Sequence, residues 1–180
     1  MRLSYLIAPA LLALTTASPA LAELPVGAKA PEFATQGALA GKDFAFRLSE
    51  ALKAGPVVLY FYPKAFTSGC TLEAHAFAAQ IEDFHKAGAS VLGLSADNLP
   101  ALERFSTSEC GGKFPVAVAD SALVSAYDAP LSVVGIHTGL ASRTTYVVAR
   151  DGRIALAYTA MDWREHVPRA LAMVRKLAGK

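Results

Sequence analysis

Cysteine is scarce: the 180-residue chain has two, Cys70 and Cys110. At most one intramolecular bridge is open to it, and a chain of this length builds a core without staples. No CxxC or CxxxC pair accompanies either thiol. The four histidines, His75, His85, His137 and His166, are scattered without metal-ligand spacing. His75, five residues after Cys70, is a poor match to the same helical face and reads as a surface or supporting residue. No glycine-rich dinucleotide fingerprint is present. The stretch GALAGK lacks a residue between its glycines and a hydroxyl residue after Lys42, which excludes a phosphate loop. Charge of one sign is also missing. Lys and Arg total 17 against 15 Asp and Glu, with no basic run, so nucleic acid and anionic membranes are not expected partners.

The one apolar run at the N-terminus is too short for a span and is broken by Pro9 and by Thr15-Thr16. With Arg2 before it and Ala20-Leu21-Ala22 after it, it reads as a secretory signal peptide over residues 1–22. Residues 23–180 are expected to form a single domain, exported, periplasmic in a Gram-negative cell, and free of the membrane after cleavage. Export places the two cysteines where disulfides form. A structural Cys70–Cys110 bridge and a reactive pair both remain open at this point.

Within the domain, short strand-like pieces lie around Phe33 and Phe44. The continuous apolar run Pro56–Tyr62 reads as a strand buried on both faces. Ser68 to about Lys86 reads as a helix, with Ala74, Phe77, Ile81 and Phe84 on one side. Ser90–Leu94 is a second buried strand. Asn98-Leu99-Pro100 opens another helix, expected to run to Gly111-Gly112 and to carry Cys110 near its C-terminus. Val116–Val118 is a short strand. RTTYVVARDGRIALAYTA predicts a hairpin on a two-residue Asp151-Gly152 turn, and a last helix covers Pro168–Leu177. Strands alternating with helices imply a partly parallel sheet covered on both faces, made mixed by the hairpin. The expected class is α/β: a thioredoxin-like fold with a mixed central sheet flanked by helices and an N-terminal extension.

Cys70 falls in the first turn of the helix that follows the buried strand. Thr67 or Ser68 is placed to cap that helix through its hydroxyl. A helix start offers unpaired N–H groups and partial positive charge, so a thiolate is stabilised there. Strand ends of open α/β sheets are also the usual position for sites. On these grounds alone, a buried and inert cysteine remains an equal reading.

The segment YFYPKAFTSGCTLEAHAF resembles the active-site segment of peroxiredoxins, in particular the PrxQ-like (bacterioferritin comigratory protein) subgroup. The family pattern Pro-x-x-x-Thr-x-x-Cys is met by Pro63, Thr67 and Cys70, and SRTTYVVARDGRI looks like the segment that brings in the family's Arg, here Arg143. VGAKAPEF and KFPVAVAD extend the likeness over nearly the whole domain. The resemblance implies a thiol-dependent peroxidase without cofactor or metal. Cys70 would attack a hydroperoxide and become a sulfenic acid. Thr67 would hold a peroxide oxygen, Arg143 would stabilise the developing charge, and Pro63 would shield the thiolate. Glu73 matches an acidic residue that orients an Arg or backbone groups, with a solvated helix residue as the alternative. Electrons would come from a thioredoxin-like protein or a small thiol, and the subgroup leads one to expect a monomer. The chain departs from the subgroup where a resolving cysteine often stands five residues on; that position is His75. Cys110 is then the candidate resolving residue, about one turn beyond the usual place on the next helix, nearer Thr107. It either resolves or stands by while an external thiol resolves. The rival reading is a thioredoxin-fold module that binds copper or carries electrons, with Cys70 as ligand.

Overall fold

The computed structural model describes residues 23–179. The signal-peptide reading of residues 1–22 lies outside the described residues.

Among the described residues, fifteen elements follow one another. A hairpin, β1 (Ala34–Leu39) and β2 (Lys42–Arg47), leads into a short helix, α1 (Leu48–Ala54). Then come β3 (Val57–Phe61), α2 (Ser68–Lys86), β4 (Ser90–Ser95), α3 (Leu99–Ser108), β5 (Val116–Val118) and α4 (Ser121–Ala126). A separate two-stranded ribbon, β6 (Pro130–Val133) and β7 (Ile136–Ala141), precedes β8 (Thr144–Val148) and β9 (Ile154–Thr159). A 3-10 turn, Trp163–Glu165, runs into α5 (His166–Leu177).

Seven strands form one mixed sheet in the order β2-β1-β5-β4-β3-β8-β9. β3, β4 and β5 are parallel neighbours; every other pairing is antiparallel. The expected N-terminal extension is thus part of the sheet, because β1 pairs with β5. Alternation along β3 divides the core. Val58, Tyr60 and Tyr62 face α2, α3 and α5, where Phe77, Ile81, Phe84, Leu102, Phe105 and Val174 meet them. Val57, Leu59 and Phe61 face the other way, towards Leu48 and Leu52 of α1 and Leu123 and Val124 of α4. A thioredoxin-like layered architecture follows directly from this central strand, which is buried on both faces.

Two local expectations need correction. The β8–β9 turn spans Ala149–Arg153, not two residues. The Gly152 amide donates to the Ala149 carbonyl (2.8 Å), and Gly152 takes a left-handed φ of 81°. As expected, GALAGK is no phosphate loop: Gly37 lies within β1, and Gly41 forms with Ala40 a tight β1–β2 turn, both with positive φ. Finally, α3 ends at Ser108, so Cys110 lies beyond the helix. Ser106, Thr107 and Ser108 turn their hydroxyls back onto the Glu103 and Arg104 carbonyls, a pattern that weakens a helix end. The chain then closes with the Cys110 amide on Phe105 O (3.1 Å) and turns at Gly111 and Gly112, both with positive φ. Among the described residues, no helix is long and apolar enough to cross a membrane.

Candidate active site

β3 delivers the chain to the carboxyl edge of the sheet, and residues 62–67 turn it into α2. That turn is anchored by Asp97, whose Oδ2 accepts from the Ala65 amide (2.7 Å) and from the Ser95 hydroxyl (2.9 Å). Thr67 stands at the N-cap position in an extended conformation (φ −79°, ψ 148°). Its hydroxyl does not cap the helix as expected. It donates to the Lys64 carbonyl (2.9 Å), which draws the loop closed. The Thr67 carbonyl accepts the first helical bond, from the Thr71 amide (2.9 Å). Without a side-chain cap, the amides of the first turn face the site.

Cys70 is the third residue of α2, and its side chain is buried. Its sulfur lies 3.5 Å from Nη2 of Arg143. Arg143 comes from the start of β8, across the sheet edge, and is also buried. All three arms of its guanidinium are used. Nη1 pairs with Glu73 Oε2, Nη2 meets Cys70, and Nε donates to the Met161 carbonyl (3.0 Å). Gly69 makes room for this approach. A Cβ there would stand 3.2 Å from Nη2.

Glu73 is fully buried one turn after Cys70, on the same face of α2. The open choice between an orienting acid and a solvated one is thereby decided. Burial pushes its carboxyl up to about 7, even with the Arg143 cation pulling the other way. Arg143 itself is driven above its ordinary value. Burial acts against its charge, but Glu73 and Cys70 facing it outweigh that.

Pro63 is half-buried in the loop beside the site, and Thr67 is exposed at its mouth. Phe66, in a left-handed conformation with φ 63°, turns a half-exposed ring outward onto Phe105. That ring borders an apolar groove shared with Gly41, Glu103, Arg104, Thr107 and Ser108. Tyr60, Phe61 and Tyr62 are core residues.

Both thiols are free and buried. Cys110 belongs to the same core cluster as Cys70, but its thiol is driven far up by burial and by the neighbouring Glu109 carboxylate. It is a poor nucleophile where it stands. His75 is on the surface, as expected, and reaches over to Glu109 (3.2 Å) beside Cys110. Asp97, Thr145 and His166 were missed in the sequence; each acts through contacts distant in the chain, and no local pattern marks them.

The site thus combines a buried thiol, a cation fixed on its sulfur and a helix start. A cation 3.5 Å from the sulfur opposes a metal ion there, which counts against the copper-binding reading. The comparisons agree. Residues 26–157 match the AhpC/TSA family. The chain is 33% identical over 122 residues to "Peroxiredoxin Bcp" of Xanthomonas campestris, covering 66% of this chain and 76% of that one. Among solved structures it resembles Peroxiredoxin Q of Xanthomonas campestris, with TM-score 0.67, 30% identity, and 79% and 90% of the two chains covered. It also resembles Peroxidoxin BcpB of Mycobacterium tuberculosis, with TM-score 0.74, 27% identity, and 84% and 96% covered. The chain belongs to the AhpC/TSA family, as a thiol-dependent peroxidase of the Bcp/Q peroxiredoxin type.

Proposed function

We propose that the chain reduces hydrogen peroxide and organic hydroperoxides at Cys70 in an exported compartment. The observation that carries this reading is Arg143 Nη2 at 3.5 Å from the Cys70 sulfur, with Glu73 and the Met161 carbonyl fixing the guanidinium. The Cys70 thiolate attacks the terminal peroxide oxygen. An S–O bond forms and the O–O bond breaks; the attacked oxygen keeps its hydrogen as the sulfenic acid, and the electron pair leaves on the distal oxygen, which takes up the proton released when the Cys70 thiol ionised, giving water or alcohol. Arg143 faces the oxygen charge as it develops. The Thr67 hydroxyl hydrogen is committed to Lys64, so its free lone pairs accept from the hydroperoxide O–H. The exposed Phe66 ring and its groove suit the apolar body of an organic hydroperoxide.

Cys110 then attacks the Cys70 sulfenic acid, forming the S–S bond and releasing water. Its place beyond α3 favours this step. Freeing it opens the turn bonds of residues 105–113, the His75–Glu109 contact and the core packing around its side chain, but not the body of a helix. An external dithiol, a thioredoxin-like domain in the same compartment, returns both thiols by supplying two electrons. The N-terminal pattern ending in Ala20-Leu21-Ala22 supports export, with a mature chain starting at Glu23. We take the working unit to be a monomer.

The test is the second-order rate constant of Cys70 with hydrogen peroxide, measured by rapid quench. The reading predicts a value orders of magnitude above that of a free thiol, abolished in Cys70→Ser. A rate equal to that of a free thiol refutes it.

A further inference from the structure

His166 opens α5, and its imidazole is fully buried. Nε2 lies 2.9 Å from the Ala160 carbonyl. A carbonyl only accepts, so Nε2 carries the hydrogen. The bare Nδ1 then accepts from the Thr145 hydroxyl, 2.8 Å away. Burial pushes the imidazole down to about 4, so the ring is neutral at working pH.

Both supports of Arg143 run to this ring. One is the strap after β9. His166 holds the Ala160 carbonyl, the next carbonyl (Met161) accepts from Arg143 Nε, and the Ala160 amide donates back to the Arg143 carbonyl (3.2 Å). The other is Glu73. Its Oε2 pairs with Arg143, whereas its Oε1 is buried without a hydrogen-bond partner, 3.9 Å from His166 Nδ1. The imidazole closes the space behind that carboxylate. A neutral ring in this place leaves the Glu73 charge to Arg143 alone. A cation there would compete for it.

We propose that His166 is a positioning residue of the peroxidatic site, bracing the Ala160–Met161 strap and the back of Glu73 so that Arg143 stays on the Cys70 sulfur. This rests on the peroxidase reading above. His166 touches neither thiol nor peroxide; it acts through Arg143.

Two reactions of Cys70 separate this role from general support of the fold. Peroxide needs both a nucleophilic sulfur and Arg143 against the departing oxygen. Iodoacetamide needs the sulfur but sets no peroxide oxygen against Arg143. In His166→Phe the peroxide rate constant is expected to fall about tenfold to a hundredfold, the scale of a displaced catalytic group. The alkylation rate constant should fall by a clearly smaller factor, since the Arg143 cation beside the sulfur bears on both reactions but the departing oxygen on only one. His166→Gln keeps a donor for Ala160 O and should return the peroxide rate to within about threefold of wild type. Equal falls in both reactions overturn the proposal, as does an unchanged peroxide rate. Should His166→Phe fail to fold, Thr145→Val removes the hydroxyl that orients the ring. An unchanged peroxide-to-alkylation ratio in that variant also overturns it. A wild-type peroxide rate no better than that of a free thiol is a different result: the peroxidase reading itself fails, and this inference with it.

Discussion

Replacing Arg143 by Met removes a cation from a site where its partner has no access to water. Arg143 is 4% exposed and Glu73 0%. Breaking a buried pair from one side costs about 3–5 kcal/mol. Here protonation limits the loss. Glu73 already titrates near 7 with the cation present, so without it the carboxyl takes a proton at neutral pH. The expected destabilisation is therefore at the low end, about 3 kcal/mol. Adding Glu73→Gln removes the orphaned acid, and the double variant should return to within about 1 kcal/mol of wild type, since a buried ion pair is seldom better than a neutral replacement. Activity should behave differently. Losing the donor aimed at the developing oxygen charge costs about 10²–10³ in rate, and the double variant should not regain it. Urea unfolding gives the stability half of this experiment, and rapid-quench oxidation of Cys70 gives the rate half. Recovery of the peroxide rate in the double variant, together with its stability, refutes the assignment of Arg143 to the chemistry.

Three further outcomes follow from the same geometry. Thr67→Val should lower the peroxide rate constant by roughly tenfold to a hundredfold, while Thr67→Ser, which keeps the oxygen, stays near wild type in the same assay. Cys110→Ser should leave the first oxidation of Cys70 intact and abolish the intramolecular disulfide; rapid turnover of this variant with a thioredoxin would contradict the resolving role. The third concerns pH. Glu73 rises from 4.5 to about 7 on folding, so the native state holds the extra proton between those values, and stability from this group is lost as pH rises through 7. His166 falls from 6.5 to about 4, and its contribution grows over pH 4 to 6.5, opposing the first. In Glu73→Gln only the histidine effect remains. From pH 4.5 to 7 that variant should gain about 3 kcal/mol relative to wild type in urea melts. A pH-independent difference contradicts the burial of Glu73 as a titrating acid.

The parts of this fold that were legible in the sequence are those whose pattern is local. Val57–Phe61 is apolar throughout because both its faces are covered, and Ser68–Lys86 shows its buried face at helical spacing. The order of strands and helices, and the thiol at a helix start, followed from these. The β6–β7 ribbon leaves no sequence signal because its strands are largely exposed and carry no alternation; Val133, Val134 and Ile136 point outward. The helices α1 and α4, at 7 and 6 residues, are too short for a periodic signal. Gly111-Gly112 marks a helix stop in the sequence, but the three hydroxyl residues before it loosen α3, which ends at Ser108. In the site, Cys70 and Arg143 were visible through a motif. Glu73 could not be told from a surface acid, since its burial depends on β8 and α5 arriving above it. His166 and Asp97 act through partners 21 and 32 residues away, Thr145 and Ala65.

The most direct measurement is the intact mass of the reduced protein seconds after one equivalent of hydrogen peroxide. The account predicts a loss of about two mass units, a Cys70–Cys110 disulfide formed through the sulfenic acid. A gain of about sixteen would keep Cys70 as the reactive thiol but contradict resolution by Cys110. An unchanged mass would contradict the central claim, that Arg143 and the start of α2 make Cys70 a peroxide-reducing thiol.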